Sequence, residues 1–141
     1  MMTTIPLTIL PIENDGYHLL LTIHVNDKPA NLILDTGASR TVFDETSIVD
    51  FIGHDNLEEH DRLSSGLGTN TMTSKKVLID KLKLGDIEIL SYEATILDLT
   101  HVNQSYQKLD LPIVSCILGG DILHNFNAKI DYEAKTLLLS S

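Results

Sequence analysis

The sequence predicts a single mostly β domain over residues 1–141, with two or three short helices. Three observations carry that reading. Apolar runs of strand length recur along the chain, turn-forming residues punctuate them, and the residues available for a core are aliphatic. Hydrophobic residues make up 43% of the 141 positions and the mean hydropathy is +0.07, the balance of a globular domain and not of a disordered one. A chain of this length buries a core without metal or disulfide staples. Aromatics contribute only 5% and Trp is absent, so Leu, Ile and Val must fill that core, which favours strands.

Residues 3–10 read as a short strand followed by the polar turn Glu13-Asn14-Asp15-Gly16. Residues 17–25 make a stronger strand. Leu19-Leu20-Leu21 is continuous, and Thr22 and His24 then alternate with Ile23 and Val25, as in a strand covered on both faces for part of its length. After the turn Asn26-Asp27-Lys28-Pro29, residues 30–34 return as the second arm of a hairpin that ends at Asp35. Asp44 is placed to cap a helix over residues 45–51, which Gly53 ends.

Residues 54–61 are the most acidic stretch and hold His54 and His60. They offer neither a Cys-containing finger spacing nor His-Glu-x-x-His, so a solvated linker is expected. The glycine- and hydroxyl-rich residues 64–71 read as a hairpin tip and match no phosphate-binding loop. Val77, Ile79, Leu82 and Leu84 mark a long strand over 75–84, and after Gly85-Asp86 the chain returns through Ile87, Ile89 and residues 94–97. Asp98 or Thr100 can cap a helix over 101–109, which Pro112 stops. The apolar run 113–118 ends in Gly119-Gly120-Asp121, residues 122–124 read as one helical turn, and 127–131 with 136–139 make a hairpin turning at 133–135.

The chemistry concentrates in residues 32–44. Leu32-Ile33-Leu34 delivers the carboxylate of Asp35 to a turn of small and hydroxyl-bearing residues, Thr36, Gly37, Ala38, Ser39 and Thr41. Gly37 permits backbone conformations closed to other residues, and the hydroxyls can hold a carboxylate. An ionisable group where a buried strand ends is costly unless it has partners. Elsewhere the expectations are negative. Ten basic against twenty acidic residues give a formal charge of −10, which repels nucleic acid and anionic lipid, so neither nucleic acid nor membrane is an expected partner. Cys116 stands alone among apolar neighbours and reads as a buried thiol, not a nucleophile. His18, His24, His101 and His124 are scattered, and no metal or cofactor is expected. The start lacks a basic segment followed by a long apolar one, so no signal peptide is visible and a cytoplasmic location is the default.

Two segments together resemble the retropepsin-like (clan AA) aspartic proteases, a family that includes the retroviral proteases and single-domain cellular and bacterial relatives. Leu34-Asp35-Thr36-Gly37-Ala38-Ser39 matches the family's hydrophobic-D-T/S-G-A/S loop. About eighty residues later, Ile117-Leu118-Gly119-Gly120-Asp121-Ile122-Leu123 matches its hydrophobic-hydrophobic-G-x-D/N-hydrophobic-L segment. The resemblance implies a closed, β-barrel-like acid-protease protomer in which Ile117-Leu118-Gly119 threads beneath the Asp35 loop. It implies that Asp35 is catalytic, supported by Thr36, Gly37, Ala38 and Ser39, and that Gly66, Leu67 and Gly68 form a flap over a peptide substrate.

Pepsin-like relatives carry two D-T-G loops, whereas this chain carries one, so the resemblance also implies a homodimer in which a second copy supplies the other Asp35. Thr36 would hydrogen-bond across the two-fold axis. The implied activity is an aspartic endopeptidase that uses a water activated by the two-Asp dyad, with no metal or covalent intermediate. The alternative is a retropepsin-like fold used as a non-proteolytic peptide-binding or dimerisation module. Viral members commonly carry Asp where Ser39 stands and Arg where Gly120 stands, forming an ion pair; both are missing here, a coherent joint change because one unpaired charge would be the costly state.

Overall fold

The computed structural model describes the backbone of residues 1–64 and 72–141, and side chains outside residues 60–73. Its first half contains β1 (Met2–Pro6), β2 (Thr8–Pro11), β3 (Tyr17–Val25), β4 (Lys28–Leu34), β5 (Val42–Asp44), α1 (Glu45–Ile52) and β6 (Glu58–Ser64). There follow β7 (Met72–Leu84), β8 (Ile87–Leu97), α2 (Thr100–Lys108), β9 (Cys116–Leu118), α3 (Gly120–Asn125), β10 (Lys129–Asp131) and β11 (Thr136–Ser140). Strands dominate and the helices are short, as the aliphatic composition predicts. None of the described helices is long and apolar enough to cross a membrane.

Six strands close into a barrel in the order β3-β4-β9-β5-β8-β7, with β7 returning to β3 through His24 opposite Lys83 and Val25 opposite Leu82. The β3–β4 hairpin turns at Asn26 and Asp27, whose φ angles of 49° and 69° give the left-handed pair that follows the twist of the strands. Asn26 also fastens the barrel seam. Its backbone N–H donates to Lys81 O at 2.9 Å, and its Oδ1 accepts from Lys81 N at 3.0 Å. The barrel is filled by Leu32, Phe43, Ile79, Leu82, Leu84 and Leu118, and Phe43 meets Tyr92 edge-on at 6.3 Å.

The segment 3–10, expected as one strand, is two, and they serve different sheets. β2 extends the barrel sheet from β3, whereas β1 joins a separate three-stranded sheet in the order β1-β11-β10. The switch falls at Leu7, buried and bonded through its N–H to Lys135 O at 2.9 Å. The smaller sheet packs onto the barrel through the fully buried Leu137 and Leu139. It is also pinned by the β7–β8 turn, where Asp86 N donates to Thr3 Oγ1 at 2.9 Å. Gly85 is required in that turn: its φ is +61°, and a Cβ there would lie 2.3 Å from Thr3 Oγ1.

Helix α1 has the expected caps. Asp44 accepts from Ser47 N at 3.1 Å, and Gly53 closes the other end at φ 80° with its N–H on Val49 O. Ahead of α2 the expected caps stand slightly differently, since the cap position is Leu99. Asp98 sits one residue earlier and accepts from the N–H and hydroxyl of Thr100. Three of the expected boundaries move. The acidic linker expected over 54–61 is strand from Glu58 onward, because Glu58 and Glu59 pair with Lys76 and Lys75, setting opposite charges across the ladder. The apolar run 113–118 is strand only from Cys116, and α3 extends one turn to six residues.

Candidate active site

Strand β9 lies between β4 and β5. It runs parallel to β4, with Ile33 opposite Ile117 and Leu34 opposite Leu118, and antiparallel to β5, with Val42 opposite Ile117. The loop 35–41 that joins β4 to β5 therefore straddles β9, which is the threading arrangement expected of Ile117-Leu118-Gly119. Cys116, at 0% exposure, anchors the strand, and burial pushes its thiol well above its ordinary value, so it stays protonated.

Asp35 is the first residue past the barrel wall. Its N–H still belongs to the sheet, donating to Leu118 O at 3.0 Å, while its side chain is exposed. Among the described residues, its carboxylate accepts one hydrogen bond, from Gly37 N to Oδ1 at 2.9 Å. Ala38 N donates to Asp35 O at 3.1 Å and closes the turn. The expected reason for Gly37 is corrected here. Its φ is not in the left-handed region, and a Cβ there would lie 3.2 Å from Asp35 Oδ1, so the carboxylate would have to give way by a few tenths of an ångström.

Of the hydroxyls expected to hold a carboxylate, Thr41 holds one. Thr36 and Ser39 are exposed, whereas Thr41, at 1% exposure, binds the carboxylate of Asp121. Asp121 Oδ1 accepts from Thr41 N at 2.8 Å, from Thr41 Oγ1 at 2.7 Å and from its own neighbour Ile122 N at 2.8 Å. Thr41 Oγ1 in turn accepts from Gly119 N at 3.0 Å. Backbone bonds complete the clamp, Gly120 N to Ala38 O at 2.7 Å and Asp121 N to Ser39 O at 3.1 Å. With neither the Asp nor the Arg of viral members present, this network ties the loop to the threading segment. The approach is close. A Cβ on Gly119 would lie 2.6 Å from the Arg40 carbonyl carbon, whereas one on Gly120 would find its nearest neighbour at 3.4 Å.

A cleft of about 630 Å³ opens beside Asp35 and Thr36. β4 and β9 line it with Ile33 and Ile117, α2 with Val102 and Tyr106, and the smaller sheet with Ile130, followed by Tyr132 just past β10. Helix α2 presents Val102 and Tyr106 to the cleft because they lie four apart on one face. Tyr106 stacks on His18 with ring centroids 5.8 Å apart and shares a 2.7 Å hydrogen bond with His18 Nδ1, and its burial raises the phenol above its ordinary value. These cleft residues come from five elements and were not legible as a site, since no local spacing links them. The expected flap residues Gly66, Leu67 and Gly68 lie outside the described residues; β6 and β7 flank them.

The fold is that of the retropepsin-like aspartic proteases, and the comparisons agree. The chain belongs to the aspartyl protease family, whose model matches residues 21–122, from β3 through the Asp35 loop to the first turn of α3. A retropepsin-like aspartic protease from Rickettsia conorii has the same fold, with a TM-score of 0.60 at 17% identity, over 99% of this chain and 94% of that one. The retroviral protease-like domain of Ddi1 from Leishmania major aligns with a TM-score of 0.58 at 14% identity, over 86% and 87% of the two chains. EIAV protease, solved in complex with the inhibitor HBY-793, aligns with a TM-score of 0.55 at 22% identity, over 86% of this chain and 99% of that one. No curated protein matches the sequence.

Proposed function

We propose that the chain is an aspartic endopeptidase acting as a homodimer, with Asp35 from each copy forming the catalytic dyad. The observation that carries this reading is the state of Asp35. A largely buried strand ends at an exposed carboxylate that, among the described residues, accepts a single hydrogen bond, beside a cleft with apolar walls. Two such carboxylates about 3 Å apart cannot both ionise, so the pair holds one proton between them, the general pattern of aspartic protease dyads. The ionised member takes a proton from a water that attacks the peptide carbonyl. The protonated member donates to the developing oxyanion, and the pair titrates as a unit.

In this reading Thr36 bonds across the two-fold axis, Ile117, Leu118 and Gly119 form the floor, and Gly66, Leu67 and Gly68 cover the substrate. The dyad activates water by itself, so the chemistry calls for no cofactor. A charge of −10 on each copy opposes association, and dimerisation is therefore expected to strengthen with moderate salt or mild acid. Sedimentation that finds only monomer between about pH 4 and pH 8 would sink the homodimer. The central test is cleavage of a diverse peptide library by the wild-type chain and by Asp35→Asn. Cleavage lost on substitution supports the mechanism, equal cleavage overturns it, and binding of peptides without turnover makes the chain a peptide-binding module.

A further inference from the structure

Two side chains of the cleft take no part in the proposed dyad. His18, in β3, and Tyr106, in α2, stack with ring centroids 5.8 Å apart and share a hydrogen bond of 2.7 Å through His18 Nδ1. They differ in burial. Tyr106 is 2% exposed, whereas His18 is exposed and lines the cleft.

That difference places the protons. The Tyr106 phenol keeps its own, since burial raises it above its ordinary value, and a buried O–H needs an acceptor. Among the described residues, His18 Nδ1 is its hydrogen-bond partner. The phenol therefore donates to Nδ1, and the neutral imidazole carries its proton on Nε2. His18 is thus held as a donor, with Nε2–H left for whatever enters the cleft. The holder is fixed in turn. Asn103 Nδ2 donates to Val114 O at 3.0 Å and its Oδ1 accepts from Val114 N at 2.8 Å, which ties α2 to the chain entering β9.

His18 also stands beside Asp35. The β3–β4 ladder ends with Leu19 opposite Leu34, so the next step of the register brings His18 level with Asp35, and opposed residues share a face about 5 Å apart. Around this donor the walls are apolar, with Ile33, Val102 and Ile117, and Ser105 directs its hydroxyl to His101 O. Such a wall suits a side chain with a hydrocarbon stem and an acceptor at its tip. A neutral amide fits better than a carboxylate, because Asp35 sets negative charge alongside.

We propose that His18, oriented by Tyr106, is a specificity-determining residue of the cleft, which selects peptides carrying glutamine through a hydrogen bond from Nε2 to the side-chain carbonyl. This rests on the reading of the cleft as a peptidase site. A pocket built to donate a hydrogen bond rejects a side chain that cannot accept one, whereas a purely apolar pocket separates the two weakly.

The test takes a peptide that the wild type cleaves and remakes it with Gln or norleucine, an unbranched apolar residue, at each position near the cut. At one position kcat/KM should favour Gln by about tenfold. His18→Leu should reduce that ratio to about one or below, and His18→Gln, which restores an N–H donor, should recover part of it. Tyr106→Phe keeps the ring that stacks on His18 but releases Nδ1, and should lower the ratio about threefold. The ratio is read within one sample, so a partly unfolded variant lowers both rates and leaves it intact. Equal cleavage of the two peptides by the wild type, or a preference that survives His18→Leu, overturns the role of His18 while the peptidase stands. If the wild type cleaves no peptide, the peptidase falls and the same ratio is read from dissociation constants, by fluorescence anisotropy of labelled Gln and norleucine peptides. Tighter Gln binding that His18→Leu abolishes then supports the donor, and equal or absent binding overturns it.

Discussion

Asp35 follows the end of β4 and Asp44 ends β5, nine positions apart, and the fold treats them in opposite ways. Asp44 is 4% exposed and accepts hydrogen bonds from Ser47 N, Ser47 Oγ and Leu99 N, each at 3.1 Å. Asp35 is exposed and, among the described residues, accepts one, from Gly37. The difference arises from where each strand leads. β5 runs directly into α1, so its last carboxylate caps a helix inside the fold and also ties down the chain ahead of α2. β4 ends at the open end of the barrel, where its carboxylate meets solvent and the cleft. A carboxylate has about four acceptor sites. Saturating them makes a structural group, and leaving them open makes one available to a water or a second carboxylate.

The largest expected effect separates these roles. Asp35→Asn should lower peptide cleavage by about a thousandfold or more, since in the proposed mechanism it removes the general base, while the melting temperature barely moves. Equal cleavage, or a large stability loss, would erase the contrast with Asp44. Asp44→Ala should do the reverse. It leaves the N–H groups of Leu99 and Ser47 without their acceptor, at a cost of about 3 kcal/mol in urea unfolding, while the kcat of the folded fraction is preserved.

Between the two aspartates lies the contact with the threading segment, and neighbouring glycines test it. Gly119→Ala forces a Cβ against the Arg40 and Ala38 carbonyls and should cost about 2 kcal/mol, with cleavage falling as the Asp35 loop shifts. Gly120→Ala, with its nearest contact at 3.4 Å, should stay within about 0.5 kcal/mol of wild type. Similar losses from both would mean that backbone approach does not set this contact.

The smallest effect belongs to a carboxylate with only a surface partner. The hydrogen bond from Lys81, and then its charge, hold the Asp27 carboxyl below the usual range. A depressed acid contributes stability above its unfolded value of about 4 and loses it as the pH falls through the lower folded value. Lys81→Met should therefore remove a slight part of the acid destabilisation near that pH, an effect that disappears in high salt. A large change at neutral pH and high salt would show that Lys81 acts through packing.

Much of the site was legible because its signals are local. An apolar run, a small-residue turn and a second apolar run ending in glycine are visible at Leu34-Asp35-Thr36-Gly37 and Ile117-Leu118-Gly119, and the structure brings those two segments together. Thr41 was legible as a hydroxyl able to hold a carboxylate, but not which one: it bonds Asp121, eighty residues away, because the approach of β9 to β5 decides which carboxylate it meets. The acidic stretch from Glu58 was misread for a related reason. Glutamates are poor strand formers alone, and only the register against Lys75 and Lys76 makes them suitable.

The sequence by itself determined the strand-rich class, the β3–β4 hairpin, the cap and stop of α1, and the loop that presents Asp35. Each depends on residues within a few positions of one another, where propensity, periodicity and turn chemistry act directly. The tertiary structure alone decided that residues 3–10 divide between two sheets, that Asp121 clamps the Asp35 loop through Thr41, and that α2 and β10 wall the cleft. Those outcomes depend on the register between distant strands, which is set by how all the buried side chains pack together and is written in no single stretch of the chain.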